Sequence, residues 1–255
     1  MARSKIVIEP DGESVAERAA RLVVEIVRQA VAENGKCTVA LSGGATPREL
    51  YRRLARSPAR EQIDWGRVHL FLGDERVVPQ EHPDSNFRMV KELLLDRVPV
   101  PPSHVHRIPA ELGAVAAAAT YEEVLRRVFG TVPGVIPTFD LILLGLGSDG
   151  HTASLFPRTR ALGVRDRLVT ASESPSSVIA RVTLTVPVLQ AARQVIVLVT
   201  GADKAEAVRR AIEGTLDLEE TPAQLLRSAR GDVTWLLDRA AADRLASAAR
   251  RSDTD

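Results

Sequence analysis

Five runs of mostly apolar residues recur along the chain, and each has the length of a β-strand. Their apolar positions are consecutive and do not alternate with polar ones, which is typical of parallel strands that are covered on both faces. The runs are CTVAL (37–41), VHLFLG (68–73), FDLILLGL (139–146), QVIVLVT (194–200) and DVTWLL (232–237). This pattern predicts a buried parallel sheet.

Helix signals lie between these runs. Ser14-x-x-Glu17 is a capping box, and it predicts an amphipathic helix that ends at Gly35. Thr46 and Pro47 are typical of the N-cap and first position of a second helix. Further helices are predicted over about 85–96, 113–128, 203–213 and 239–250.

The alternation of strands and helices predicts an α/β fold. We expect a Rossmann-like, doubly wound, mostly parallel sheet with helices on both faces. Residues 158–185 interrupt the alternation and predict a small antiparallel excursion. Neither an internal repeat nor a low-complexity linker divides the sequence, so we predict one domain over residues 1–255.

Composition excludes several classes of function. The formal net charge of +1 does not create the basic field that nucleic-acid binding requires. No apolar run approaches the ~20 residues of a membrane span, and the N-terminal residues lack the apolar core of a signal peptide. The single cysteine, Cys37, begins an apolar run and is expected to be a buried thiol. We therefore expect a cytoplasmic protein that binds neither nucleic acid nor membrane.

The first candidate loop follows the run 37–41. Ligands of doubly wound sheets bind outside the carboxyl ends of the strands, and Ser42, Gly43 and Gly44 stand at such an end, just before a helix. Their backbone N–H groups and the helix N-terminus favour an anion, although a tight turn would use the same residues. Ser42 is disfavoured as a hydrolase nucleophile, because Ala40 stands where a nucleophile elbow needs glycine.

The second candidate loop follows the run 68–73. Charged residues at a strand end are not expected to enter the core, so Asp74, Glu75 and Arg76 form either a solvated turn or part of a site. Arg76 could hold a phosphate or carboxylate, while Asp74 or Glu75 could bind sugar hydroxyls or Arg76 itself. Asp84 or Ser85 is expected to cap the helix that follows.

The third candidate loop contains Gly145-x-Gly147-x-x-Gly150, the spacing of a dinucleotide-binding loop. Such a loop leads into a long helix and is followed by an acidic residue at the next strand end, whereas here Pro157 interrupts. We therefore expect no nucleotide site. The loop presents Asp149 and His151 instead, and a carboxylate near an imidazole suits proton transfer at neutral pH.

Two further cations are candidates for holding an anion. Asp203-x-x-Glu206 resembles a capping box, which places Lys204 in the first turn of a helix, where the dipole disfavours a cation unless an anion is bound. Arg181 begins the run RVTLT and is a candidate of the same type. A zinc site is not supported, because His104 and His106 lie in a proline-rich stretch without nearby acidic ligands.

Taken together, these motifs resemble those of the 6-phosphogluconolactonases. The segments LSGGATPRELY, FLGDERVVPQEHPDSNFRM, FDLILLGLGSDGHTASLFP, RVTLTVPVLQAARQVIVLVTGADKAEAV and VTWLLDRAA occur in the family's order along nearly the whole chain. The resemblance implies a fold similar to that of glucosamine-6-phosphate deaminases, without a bound nucleotide. It also implies hydrolysis of 6-phospho-D-glucono-1,5-lactone to 6-phospho-D-gluconate, with no metal or organic cofactor, by a monomer or homodimer.

Roles for individual residues follow from the same resemblance. His151 matches the family's catalytic base, and Asp149 would orient it. Phosphate binding or oxyanion stabilisation would fall to Ser42, Gly43, Gly44, Arg76, Arg181 and Lys204. Asp74 would bind ring hydroxyls.

Two alternatives share parts of this pattern. An aminosugar-phosphate deaminase has the same loops, but its sequence after the histidine usually runs toward Ile-Ala-Phe-Asn-Glu-Pro, whereas here residues 152–157 read TASLFP. A sugar-phosphate-sensing regulator would need a DNA-binding segment, which this sequence does not offer. The chain departs from the lactonase pattern at residues 175–180, PSSVIA, where many members have a Lys-Pro-Pro-like segment.

Overall fold

The computed structural model describes residues 4–246. The strands in this range are β1 (Ser4–Glu9), β2 (Cys37–Leu41), β3 (Val68–Leu72), β4 (Asp74–Arg76), β5 (Val105–His106), β6 (Leu141–Gly145), β7 (Val169–Ser172), β8 (Arg181–Leu184), β9 (Gln194–Val199) and β10 (Asp232–Asp238). The α-helices are α1 (Gly12–Asn34), α2 (Pro47–Leu54), α3 (Ala59–Gln62), α4 (Asn86–Leu93), α5 (Ala114–Phe129), α6 (Val186–Ala191) and α7 (Ala205–Ile212).

Seven strands form the main sheet, in the order β1-β10-β9-β6-β2-β3-β5, and all its pairings are parallel. From β2 the chain builds outward through β3 to β5, and from β6 it builds the other way through β9 to β10. The winding direction therefore reverses between β2 and β6, and the loops that follow them diverge there. Such a switch point is where doubly wound folds bind ligands.

The five apolar runs are confirmed as strands β2, β3, β6, β9 and β10. All five residues of β2 are buried, as its continuous apolar sequence predicts for a strand covered on both faces. The α/β, doubly wound fold is thereby confirmed. Strand β1 was not predicted, because it is an edge strand in which only Val7 is buried and its apolar pattern is correspondingly weak.

The predictions for the N-cap of α1 and for the helix after β10 differ from the structure. Helix α1 begins at Gly12, and its N-cap is Asp11, whose carboxylate accepts a bond from the Ser14 N–H at 2.8 Å. The predicted capping box at Ser14 is therefore wrong, although Gly35 ends the helix in the left-handed conformation as expected. Residues 239–246 form turns and not the predicted helix, and residues 247–250 lie outside the described range.

Helix α4 has the expected cap. The Ser85 side chain accepts a bond from the Arg88 N–H at 3.1 Å. Helix α2 begins at Pro47 as predicted, but Thr46 makes no side-chain cap bond. Its Oγ1 lies 3.2 Å from the Thr200 hydroxyl, which joins the loops after β2 and β9.

A second sheet of three antiparallel strands, in the order β4-β8-β7, contains the segment that breaks the strand–helix rhythm. Strand β4 was predicted as a turn or loop. It is three residues long and starts two residues after β3 ends, so the chain passes directly from the main sheet to the small one. This sheet stands at the carboxyl ends of the main strands and forms one side of the candidate site. None of the helices between residues 4 and 246 has the length and apolar composition that crossing a membrane requires.

Candidate active site

A cavity of about 330 Å³ opens where β2, β6 and β9 end. Eight of the nine predicted site residues line it: Ser42, Gly43, Gly44, Asp74, Arg76, His151, Arg181 and Lys204. The ninth, Asp149, contacts His151 instead of lining the cavity.

The loop after β6 holds His151 through its own backbone. The Gly147 N–H donates to the His151 carbonyl at 2.9 Å, and the Gly150 N–H donates to the Gly147 carbonyl at 2.9 Å. The His151 Nδ1 lies 2.6 Å from Asp149 Oδ1. Because an ionised carboxylate can only accept, Nδ1 carries a proton, and in the neutral imidazole Nε2 is the nitrogen that has the lone pair.

The electrostatics of this pair support that assignment. Partial burial raises the pKa of Asp149, but the hydrogen bond and charge of His151 outweigh it, so the pKa lies below its ordinary value. The imidazole also packs against Phe156, with ring centroids 4.5 Å apart. Its position is therefore set from two sides, and Nε2 is the ring nitrogen that the contact with Asp149 leaves for proton transfer.

Gly147 is required beneath this pair for steric reasons. A Cβ at this position would lie 2.1 Å from His151 Nδ1 and 2.4 Å from Asp149 Oδ1. Two of the loop's three glycines thus serve the histidine–aspartate pair: Gly147 makes room for it, and Gly150, with φ of +95°, turns the chain.

The loop after β2 is held by a buried tyrosine. The Tyr51 hydroxyl accepts from the Ser42 N–H at 3.0 Å and donates to the Ser42 carbonyl at 2.7 Å. The Ser42 Oγ is buried and has no hydrogen-bond partner among the described residues. Gly43 packs against the Asn86 amide, where a Cβ would come within 1.9 Å of Oδ1, and Gly44 has φ of +96°. The loop therefore places one unpaired hydroxyl beside two glycines at the cavity wall.

Asp74 and Glu75 point to different sides of β4. Asp74 is only 8% exposed, and its Oδ2 accepts from the Ser154 hydroxyl at 2.6 Å. Glu75 accepts from the N–H groups of Asn86 and Phe87, both at 2.7 Å, so its carboxylate anchors the start of α4. Burial raises the pKa of Glu75, although these N–H groups oppose the shift. Asp74 thus faces the cavity, whereas Glu75 serves the fold.

Arg76 and Arg181 are register partners on β4 and β8. Arg76 Nη1 donates to the Asp84 carbonyl at 2.6 Å, and neither guanidinium forms a salt bridge within residues 4–246. Burial, together with the charge of Arg76, lowers the pKa of Arg181. The carboxylates of Asp74, Glu75 and Asp84 oppose this shift without forming a salt bridge to Arg181. Two adjacent guanidinium groups that form no salt bridge are suited to an anionic ligand.

Lys204 reaches the cavity from the loop after β9. Residues 202–204 form a 3-10 turn, α7 starts only at Ala205, and no side chain caps it, so the predicted capping box of Asp203 and Glu206 is wrong. The Lys204 side chain is 26% exposed, and its Nζ lies 3.3 Å from Asp203 Oδ2. The cation therefore stands just ahead of the helix and remains open to the cavity.

The sequence matches the family described as "Glucosamine-6-phosphate isomerases/6-phosphogluconolactonase" over residues 10–235. The chain belongs to this family. A curated 6-phosphogluconolactonase of Synechocystis sp. is 44% identical over 230 residues, which cover 90% of this chain and 93% of that protein. This similarity confirms the resemblance seen in the sequence motifs.

Solved structures in the family have the same fold. The crystal structure of 6-phosphogluconolactonase from Leishmania guyanensis superposes with a TM-score of 0.86 at 31% identity, covering 97% of this chain and 100% of that one. A monomeric glucosamine-6-phosphate deaminase superposes with a TM-score of 0.77 at 23% identity, covering 94% and 99%. The second comparison concerns the fold alone.

The histidines at the far edge of the sheet take no part in the cavity. His69 Nδ1 lies 3.2 Å from His106 Nε2, and the rings of His69 and His104 stack 4.0 Å apart. Burial, together with the charges of neighbouring histidines, lowers the pKa of His69 and His106 to about 4. Within residues 4–246 no cluster of three or more histidine, cysteine, aspartate or glutamate side chains is suited to a metal ion.

Six polar residues of the cavity wall are not among the predicted site residues: Thr46, Asn86, Ser154, Ser174, Ser176 and Thr200. Asn86 Nδ2 donates to the Asp74 carbonyl at 2.9 Å, and Ser154 binds the Asp74 carboxylate. Asn86 and Ser154 are recognisable as part of the site only through these contacts with Asp74, which lies 12 and 80 positions away in the sequence. Thr200 is recognisable through its contact with the Thr46 hydroxyl on the loop after β2. Ser176, from the 175–180 segment that departs from the family pattern, also lines the cavity.

Proposed function

We propose that this protein hydrolyses 6-phospho-D-glucono-1,5-lactone to 6-phospho-D-gluconate, the second step of the oxidative pentose phosphate pathway. The observation that carries the proposal is the His151–Asp149 pair at the wall of a cavity that also contains three cations. The 44% identical relative named 6-phosphogluconolactonase supports the choice of substrate.

In this mechanism His151 acts first as a general base. Its Nε2 takes a proton from a water molecule, and the resulting hydroxide forms a bond to the lactone carbonyl carbon. The tetrahedral intermediate then expels the ring oxygen, and the imidazolium returns the proton to that oxygen as the C–O bond breaks. Asp149 keeps the imidazole in the required tautomer and stabilises its positive charge.

The cations divide between the substrate phosphate and the developing oxyanion. The Ser42–Gly44 loop offers a hydroxyl without a protein partner, and Lys204 stands on the neighbouring loop. Arg76 and Arg181 stand side by side on the small sheet, and neither forms a salt bridge within residues 4–246. Asp74, an acceptor that faces the cavity, binds ring hydroxyls. The buried thiol of Cys37 accords with a cytoplasmic location for the reaction.

The decisive experiment compares the parent with His151→Ala on freshly generated lactone, with the uncatalysed rate subtracted. The variant is expected to lose ~10²-fold or more in kcat while its affinity for 6-phosphogluconate by calorimetry stays close to that of the parent. His104→Gln, which removes an imidazole outside the cavity wall, serves as the control and keeps the parent rate.

Two results would overturn parts of the proposal. Parental turnover by His151→Ala would exclude this histidine as the base. A parent rate equal to background would exclude lactone hydrolysis, and turnover of glucosamine-6-phosphate would then assign the deaminase reaction.

Lys204→Ala tests the phosphate contact separately. We expect KM for the phosphorylated lactone to rise by ~10-fold or more, because a charge-assisted contact contributes about 1.5–3 kcal/mol. Hydrolysis of the non-phosphorylated lactone should change little. Equal losses on both substrates would argue against a phosphate contact at Lys204.

A further inference from the structure

Ser154 is attached to every strand of the small sheet. Its hydroxyl donates to Asp74 Oδ2 on β4 at 2.6 Å, and its carbonyl accepts from the Ser172 hydroxyl on β7 at 2.6 Å. Its N–H donates to the Thr183 hydroxyl on β8 at 3.3 Å. The residue is 2% exposed and stands three positions after His151.

The backbone between these two residues adopts a conformation that an alanine disfavours. Ala153 has φ of +49°, in the left-handed region. On one side of it, the Thr152 hydroxyl donates to the Gly145 carbonyl at 2.9 Å. On the other side, Ser154 forms its three hydrogen bonds to the small sheet. The turn itself is closed by the Leu155 N–H, which donates to the Thr152 carbonyl at 3.0 Å. Weaker contacts on either flank would let Ala153 relax toward negative φ and shift His151, two residues earlier.

We propose that Ser154 is a positioning residue that holds His151 in its catalytic orientation by fixing the loop to the small sheet. The inference rests on the proposed function, since it concerns the same reaction. Its hydroxyl also orients the Asp74 carboxylate, so one side chain connects the proton-transfer group with the group that binds ring hydroxyls.

The principal test is Ser154→Ala, which removes the hydroxyl and keeps the small, buried side chain. We expect kcat to fall by ~10-fold or more, since a displacement of about 1 Å at a catalytic group can cost a hundredfold. KM is also expected to rise, because the Asp74 carboxylate loses its Ser154 donor, but by a smaller factor than kcat falls, because Lys204 and the Ser42–Gly44 loop are not touched. Ser172→Ala, which removes the donor to the Ser154 carbonyl, should lower kcat in the same direction, and it carries the test if Ser154→Ala does not fold.

Thr185→Val is the matched control. Thr185 follows β8, and its buried hydroxyl donates to the Arg167 carbonyl at 2.8 Å, away from the cavity. This variant loses a buried hydrogen bond near the same sheet, so its Tm should fall while its kcat stays within about twofold of the parent. Equal kcat values for Ser154→Ala and Thr185→Val would overturn the proposal.

Rescue by glycine separates positioning from general stability. Glycine adopts the left-handed conformation without the penalty of a Cβ, so Ala153→Gly in the Ser154→Ala background should recover kcat by about fivefold. In the parent background, Ala153→Gly should change kcat little, because the bonds of Thr152 and Ser154 already hold the loop. A double variant no faster than Ser154→Ala would contradict the role assigned to the loop backbone.

A spectroscopic measurement keeps this test independent of turnover. The Nδ1 proton and ring nitrogens of His151, observed by ¹H–¹⁵N NMR, report its bond to Asp149. They should shift in Ser154→Ala and remain unchanged in Thr185→Val. A parent protein that does not hydrolyse the lactone would refute the proposed function alone. Unchanged His151 signals in Ser154→Ala would refute the positioning role of Ser154.

Discussion

Gly147→Ala should inactivate the enzyme without unfolding it. The new methyl would lie 2.1 Å from His151 Nδ1, about 1.3 Å inside the 3.4 Å at which ordinary contact begins. The Gly147 backbone is outside the left-handed region, so the change introduces a steric clash and no backbone strain. The histidine–aspartate pair must move by about 1 Å, and a displacement of that size lowers kcat by ~10²-fold.

Three measurements test this reasoning: kcat on fresh lactone, Tm, and the ¹H–¹⁵N signals of the His151 ring. Gly163→Ala is the matched control, because a Cβ there meets nothing within 4 Å and its φ is not positive. The control should match the parent in all three. If Gly147→Ala kept kcat within a factor of two, either His151 would not depend on this geometry or it would not be the base.

Two further predictions concern groups outside the proton-transfer pair. Tyr51→Phe leaves the Ser42 N–H and carbonyl unpaired, so it should lower the free energy of unfolding by about 1–3 kcal/mol and raise KM. The control Tyr121→Phe breaks equivalent bonds to Leu72 and should lower the free energy of unfolding by a similar amount with KM unchanged. Equal KM values for the two variants would contradict a binding role for the Ser42 loop. The pKa of His106 is about 4 in the fold, below its ordinary value of 6.5, so protonation favours the unfolded chain and the free energy of unfolding should fall as pH drops from 6.5 through 4. His106→Gln should weaken that dependence in urea titrations at several pH values, and a slope identical to that of the parent would refute this origin.

The local sequence was enough to predict those elements whose residue pattern lies within a single segment of the chain. Continuous apolar runs of strand length identified β2, β3, β6, β9 and β10, because a strand covered on both faces has few polar positions. Pro157, close behind Gly150, predicts that no long helix follows this glycine loop, and the first helical segment after it is the four-residue 3-10 turn Arg160–Gly163. The family, too, was recognisable from motifs that are contiguous in the chain.

Tertiary structure decided the features that depend on distant partners. Three charged residues became strand β4 because Arg181–Leu184 pairs with them, and this pairing turned Asp74 toward the cavity and Glu75 toward α4. Ser154 carries no sequence signal of its role, because its partners lie on three separate strands. Periodicity and motifs report what a residue does within its own segment, whereas the geometry of this site arises from contacts between loops that only the folded sheet brings together.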